Sequence, residues 1–146
     1  MGKRRKARES TLQILFQLEF NGSDAESVIR QFWEGKKTAK EVRDYCQWLI
    51  KGIISHQEKV DNIIQSASEH WRVSRMPIVD RNILRMAAFE LLYEEDVAPA
   101  IVINEAIEIA KKFSSEQAST FINGVLDALR KNINEIKKTL RDEENG

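Results

Sequence analysis

The sequence predicts an all-α protein, and three observations carry that reading. Apolar residues recur at spacings of three and four along almost the whole chain. Alternation of apolar and polar residues, the mark of a half-buried strand, is absent over any useful length. Helix breakers are scarce, with 6 Gly and 2 Pro in 146 residues. That length suits one domain with one core. With 42% apolar and 32% charged residues, the composition is that of an ordinary globular protein.

A first helix is expected over about residues 6–20, stopped by Asn21-Gly22. Thr11, Leu12, Ile14, Leu15, Phe16 and Leu18 cover one wide face, with Lys6, Gln13 and Gln17 opposite. Extending this helix backward would turn Arg4, Arg5 and Arg8 toward the apolar side, where unpaired cations are costly. The basic end is therefore expected to overhang the core, or to lie irregular in water until an anion arrives. Ser23-Asp-Ala-Glu26 reads as a capping box opening a short helix with Val28, Ile29, Phe32 and Trp33, stopped at Gly35. Thr38-Ala-Lys-Glu41 repeats the pattern before a helix carrying Val42, Tyr45, Cys46, Leu49 and Ile53. Val60, Ile63, Ile64, Ala67 and Trp71 mark a further helix, and its separation from the previous one near Ser55 is open. WRVSRMP, residues 71–77, breaks the periodicity and divides the helices into two groups, with Pro77 suited to an early helical position.

The next segment, DRNILRMAAFELLY, is apolar almost all round, interrupted by Asn82, Arg85 and Glu90, and so belongs at the centre of a helical domain. Asp80 and Arg81 fall in its first turn and are expected to be accessible. EEDVAP is a turn, and AIVINEAIEIAKKF turns Ile103, Ala106, Ile107, Ala110 and Phe113 inward. Ser114 and Ser115 offer an N-cap to a last helix over about 116–138, which buries Ala118, Ile122, Val125, Leu126, Leu129, Ile133 and Ile136. Phe121 lies at the edge of that stripe, with Gly124 and Lys131 on the flank. The expected plan is six or seven helices in one domain over 1–146: a basic arm 1–8, helices over 9–70 and 77–138, and a polar tail 139–146.

Charge is uneven. Five of the 23 bases and none of the 23 acids fall in residues 1–8, so Lys3, Arg4, Arg5, Lys6 and Arg8 put +5 on the arm and the remainder carries −5. A basic arm on an acidic body reads either as a handle for a polyanion or as a solvated start. No apolar run approaches the roughly 20 residues that a membrane helix needs. Polar residues mixed into the segment after the arm exclude a signal peptide, so cytoplasm is the expected compartment. The one cysteine, Cys46, sits among apolar neighbours and reads as a small buried hydrophobe. His56 and His70 have no metal-like spacing to each other or to it. No phosphate loop, GxSxG, HExxH or CxxC occurs, and Glu105 and Glu108 at i, i+3 have the spacing of a solvated face. No enzyme and no cofactor are expected. Selecting a sequence in single-stranded RNA needs rings that stack and groups that hydrogen-bond. Phe121 and Asn123 supply one of each, and Gly124 leaves room for an approaching backbone. For Phe121, core packing is the competing reading.

RKARESTLQILFQLE, DRNILRMAAFELLYEEDVAPAIVINEAIEIAKKFS and FINGVLDAL resemble the NusB family of bacterial transcription antitermination factors, from Arg5 to about Leu129. The resemblance implies two packed helical subdomains and no catalytic step. It implies recognition of boxA, a single-stranded RNA signal in ribosomal RNA leaders, together with the ribosomal protein NusE, within an RNA polymerase antitermination complex. It places phosphate contacts on Arg5, Lys6 and Arg8, joined by Lys3 and Arg4. It sets Phe16, Arg81, Phe121 and Asn123 at positions that contact or border RNA, with Lys131 on the same flank. Asp80 and Gln117 match positions near the NusE interface. Some family members pair with themselves through the RNA-binding face, which would mask the arm, and for this chain the sequence leaves such a homodimer open. Two alternatives are a helical domain attached to a ribosomal RNA cytosine methyltransferase and a helical protein-interaction module.

Overall fold

The computed structural model describes residues 2–21 and 24–145. Among them the chain forms eight α-helices: α1 (Lys3–Asn21), α2 (Ala25–Trp33), α3 (Lys40–Ser55), α4 (Gln57–Ala67), α5 (Ile78–Tyr93), α6 (Pro99–Phe113), α7 (Glu116–Lys131) and α8 (Ile133–Asn145). A single 3₁₀ turn spans Val73–Arg75. The all-α expectation holds, and the count of six or seven is corrected to eight.

The difference comes from two breaks that periodicity does not announce. At His56 the backbone turns to φ −114°, ψ 16°, which separates α3 from α4. At Asn132 it turns to φ −111°, ψ 13°, which cuts the expected 116–138 helix into α7 and α8. Residues 139–145, expected as a polar tail, continue α8, because Leu140 is buried and anchors its apolar side.

Local signals act unevenly. Gly35 ends the segment after α2 with φ +73°, a conformation that favours glycine. The Ser23 cap lies outside the described residues. Asp24 takes that role, its Oδ1 accepting from Glu26 N–H at 3.3 Å. The Thr38 box does not form: Ala39 is the N-cap of α3, without a side-chain bond. Pro77 is the N-cap of α5 rather than an interior residue. Ser115 caps α7 by accepting from Ala118 N–H at 3.0 Å.

Helix α5 is the hub, packed against α1, α3, α4, α6, α7 and α8. Its Ile83, Leu84, Met86, Ala87, Ala88, Phe89 and Leu91 are each at most 2% exposed. Burying each of the larger aliphatic side chains contributes about 1.5–3 kcal/mol. They join Leu12 and Leu15 of α1, Leu49 and Ile53 of α3, and the inner faces of α4, α6 and α7 in one cluster that crosses the 71–77 boundary. A smaller cluster of Ala7, Ile14, Val28, Val42, Cys46 and Ile50 seats α2 on α1 and α3. Cys46 is fully buried, and that burial pushes its thiol up to about 11. No helix among the described residues is long and apolar enough to cross a membrane.

Candidate nucleic-acid interface

Helix α1 starts at Lys3, so the basic arm is its first two turns rather than an irregular overhang. Cations at a helix amino terminus oppose the helix dipole, and acids of the body supply the compensation. Arg8 is 3% exposed and lies against Glu90, 1% exposed, with Nε–Oε1 at 2.7 Å and Nη2–Oε2 at 2.8 Å. The Tyr45 hydroxyl donates to the same Glu90 carboxylate at 2.7 Å. Burial first, and then the Glu90 charge, push the Tyr45 phenol up. Removing one member of such a buried pair costs about 3–5 kcal/mol. Arg8 therefore fastens the arm and is not an outward phosphate ligand in this state, contrary to the simplest carry-over from the family.

The other arm cations are nearer water. Arg5 hydrogen-bonds Glu105 through Nε at 3.1 Å and also through Nη2. The Arg5 hydrogen bond holds the Glu105 carboxyl below its ordinary range, against the effect of burial. Arg4 reaches Glu94 at 3.3 Å and lays its guanidinium over the Tyr45 ring, 3.8 Å from the centroid. Lys3 pairs with Glu41 on the surface. Lys6 is exposed and makes no ion pair among the described residues.

Helix α1 runs antiparallel to α5: Arg8 near its start meets Glu90 near the end of α5, and its far end is fastened by charges of the opposite arrangement near the start of α5. Glu19 accepts from Arg81 (Nη2 2.7 Å, Nε 3.0 Å) and from Arg85 (Nη1 2.8 Å). Arg85 also holds Asp61 at 2.8 and 2.9 Å. Arg81 Nη1 reaches the carbonyls of Ser74 and Met76, tying α1 to the 3₁₀ segment. Between these fastenings, Phe16 is 37% exposed, only partly core, and its ring meets Phe20 edge-on at 4.8 Å. It lines a groove of about 300 Å³ with Leu12, Gln13, Gln17, Val79 and Phe113.

Asp80 is 7% exposed, not accessible as expected, and accepts from the Ser114 hydroxyl at 2.7 Å. Gln117 and Asn123 are exposed on α7, and Lys131 is exposed beside Asp127 at 3.5 Å. Phe121 is neither deep core nor fully out. It packs partly on the core, and its ring meets Trp71 edge-on at 6.3 Å. Trp71 is 61% exposed, so it is a second ring at this end rather than a buried member of α4.

The arm and Phe121 do not touch. From Arg8 to Glu19 is about 16 Å of helix, and the link continues through Arg81, the Ser74–Met76 carbonyls and Trp71. Sequence reasoning missed Glu90, Glu105, Tyr45, Glu19 and Trp71. The signal for Glu90 was present: it interrupts an apolar helix, while Arg8 sits on the apolar side of another and needs a partner.

The NusB family model matches residues 5–131. The chain belongs to the NusB family. The transcription antitermination protein NusB of Trichlorobacter lovleyi is 43% identical over 129 residues, covering 88% of this chain and 91% of that one. Among solved structures, NusB of T. maritima is 34% identical with a TM-score of 0.80, over 92% of this chain and 90% of that one. A structure of the antitermination factors NusB and NusE in complex with dsRNA is 28% identical with a TM-score of 0.79. It covers 95% of this chain and 98% of its NusB-like counterpart.

Proposed function

We propose that this chain is a cytoplasmic transcription antitermination factor that binds boxA single-stranded RNA of ribosomal RNA leaders together with NusE. It does so within an RNA polymerase antitermination complex and without a catalytic step. One observation carries the reading: a helical row of cations at one end of α1 and two accessible rings, Trp71 and Phe121, at the other. Relatives named as antitermination proteins and the NusB–NusE complex with RNA support it. In this reading Lys3, Arg4, Arg5 and Lys6 meet phosphates, and Arg8 positions them. Arg81, Phe121, Asn123 and Lys131 border the strand. Phe16 borders the strand as well, and Asp80 and Gln117 lie toward NusE. The parts over 1–146 act as one domain, its two helical groups sharing the core around α5. Pairing of two copies through the arm face would compete with RNA.

The test is a titration of boxA RNA across several salt concentrations, with and without NusE. Arg4, Arg5 and Lys6 are replaced by Ala, and Arg8 is left in place to preserve the fold. Affinity is expected to fall, and the slope of log K on log salt to flatten by about one for each lost phosphate contact. Unchanged affinity and slope would overturn the reading. Phe121→Ala, checked for folding, is expected to weaken binding by about 1–3 kcal/mol.

A further inference from the structure

On the other side of the arm lies a second set of rings. Its origin is a missing side chain. A Cβ placed on Gly52 of α3 would collide with the tip of the Phe89 ring at its Cζ, so glycine is what lets that ring of α5 press against α3. Phe89 then lies 5.0 Å from Trp48 and 4.9 Å from Tyr93. Tyr93 faces His56 at 4.8 Å, and Tyr45 extends the row 5.4 Å beyond Trp48. Trp48, His56, Phe89 and Tyr93 line a cavity of about 830 Å³ between α3, α4, α5 and α8, with Tyr45 outside it. Trp48 is 38% exposed, more than core packing requires. The row begins beneath the arm, where Arg4 stacks on Tyr45 at 3.8 Å.

The rim is polar. Lys51 and Lys59 make no ion pair among the described residues. Glu58 of α4 and Glu144 of α8 also line the cavity, and Glu144 accepts from the Tyr93 hydroxyl at 3.5 Å. A phosphate chain is repelled by that wall and drawn to the α3 wall, where Lys51 follows Arg4.

We propose that the exposed Trp48 ring, backed by Phe89 and flanked by Tyr93, is a second stacking subsite, which takes the single-stranded nucleotides flanking boxA as they leave the arm. Rings that accept any base beside cations that accept phosphate are the chemistry of sequence-tolerant single-strand binding. Continuity with the arm through Arg4 and Tyr45 selects RNA over a peptide as the occupant. The inference rests on the RNA reading above.

The experiment titrates the full chain, with and without NusE, against bare boxA RNA and against boxA extended upstream or downstream by unpaired adenines. One extension is expected to tighten binding by about fivefold or more. Trp48→Leu removes that gain and leaves bare boxA affinity unchanged, whereas Trp48→Phe, which keeps a ring, retains it. Lys51→Glu, at an exposed position that leaves folding intact, also reduces the gain and serves if Trp48→Leu fails to fold. The proposal is overturned if neither extension gains, or if the gain survives Trp48→Leu and Lys51→Glu. An equal loss on bare and extended RNA in these variants overturns it too. So does self-association in sedimentation that Trp48→Leu abolishes, which would give the groove to a second copy. Absence of bare boxA binding even with NusE would instead remove the RNA reading itself, and this inference with it.

Discussion

Glu19 is one carboxylate shared by two guanidinium groups. The Arg81 hydrogen bonds, opposed by burial and reinforced by Arg85, bring it from an ordinary 4.5 down to about 2. An acid whose folded pKa is depressed stabilises the fold above its unfolded value and ceases to as pH falls through the folded one. The Glu19 contribution is therefore full above about pH 5, declines between its two pKa values, and is gone below the lower. At neutral pH it is on the order of 2 kcal/mol. Urea unfolding across this range is expected to show Glu19→Gln less stable by that amount at neutral pH, with a flatter acid limb. Parallel acid limbs in the two proteins would contradict the assignment. At this scale the sequence is a partial guide. Arg8 on an apolar face and Glu90 within an apolar helix each demand a partner, but 82 residues separate them, and only the packing of α1 on α5 reveals that each answers the other.

Helices were legible where apolar spacing changes phase or a glycine stops the chain, as at Gly35 and in α5. They were not legible at His56 and Asn132, where a turn of the backbone leaves the apolar spacing nearly in step on both sides. Nor does a capping pattern decide a boundary alone: α3 opens at Ala39 because packing of Val42, Cys46 and Leu49 sets its start. The close approach of α3 to α5 was equally hidden, since Gly52 sits mid-helix, where alanine has the higher helix propensity. Gly52→Ala is expected to lower stability by about 1–3 kcal/mol, because displacing the Phe89 ring outweighs the propensity gained. Thermal unfolding checks the sign, and a stabilised variant would mean that the ring moves freely.

For the molecule as a whole, the arm's charge is largely balanced internally by Glu41, Glu90, Glu94 and Glu105. RNA phosphates must compete with the acids that hold the more exposed cations, Glu41 on Lys3 and Glu94 on Arg4. Glu41→Gln with Glu94→Gln is expected to tighten boxA binding about two- to fivefold and to steepen its salt slope. An equal change of net charge elsewhere, Glu34→Gln with Asp142→Asn, is the control. Equal effects from the two pairs would mean that overall charge, rather than competition at the arm, sets affinity. The sequence displayed the cations in six residues but scattered their acids over 65, so the arm's handle was legible and its restraint was not. The exposed face shared by Trp71 and Phe121 was likewise half visible: the second ring was plain in α7, and the first was masked by its apparent place in α4.

The separation of those charges along the chain sets an order of events during synthesis. Arg5 is translated 100 residues before Glu105, and Arg8 is translated 82 before Glu90. At about 5–20 residues per second, the cations leave the ribosome many seconds ahead of the carboxylates that match them. For that interval a bare cationic segment is tethered beside ribosomal RNA. Docking of α1 onto α5 and α6 is thus also the step that withdraws the newborn polypeptide's charge from the machine that made it.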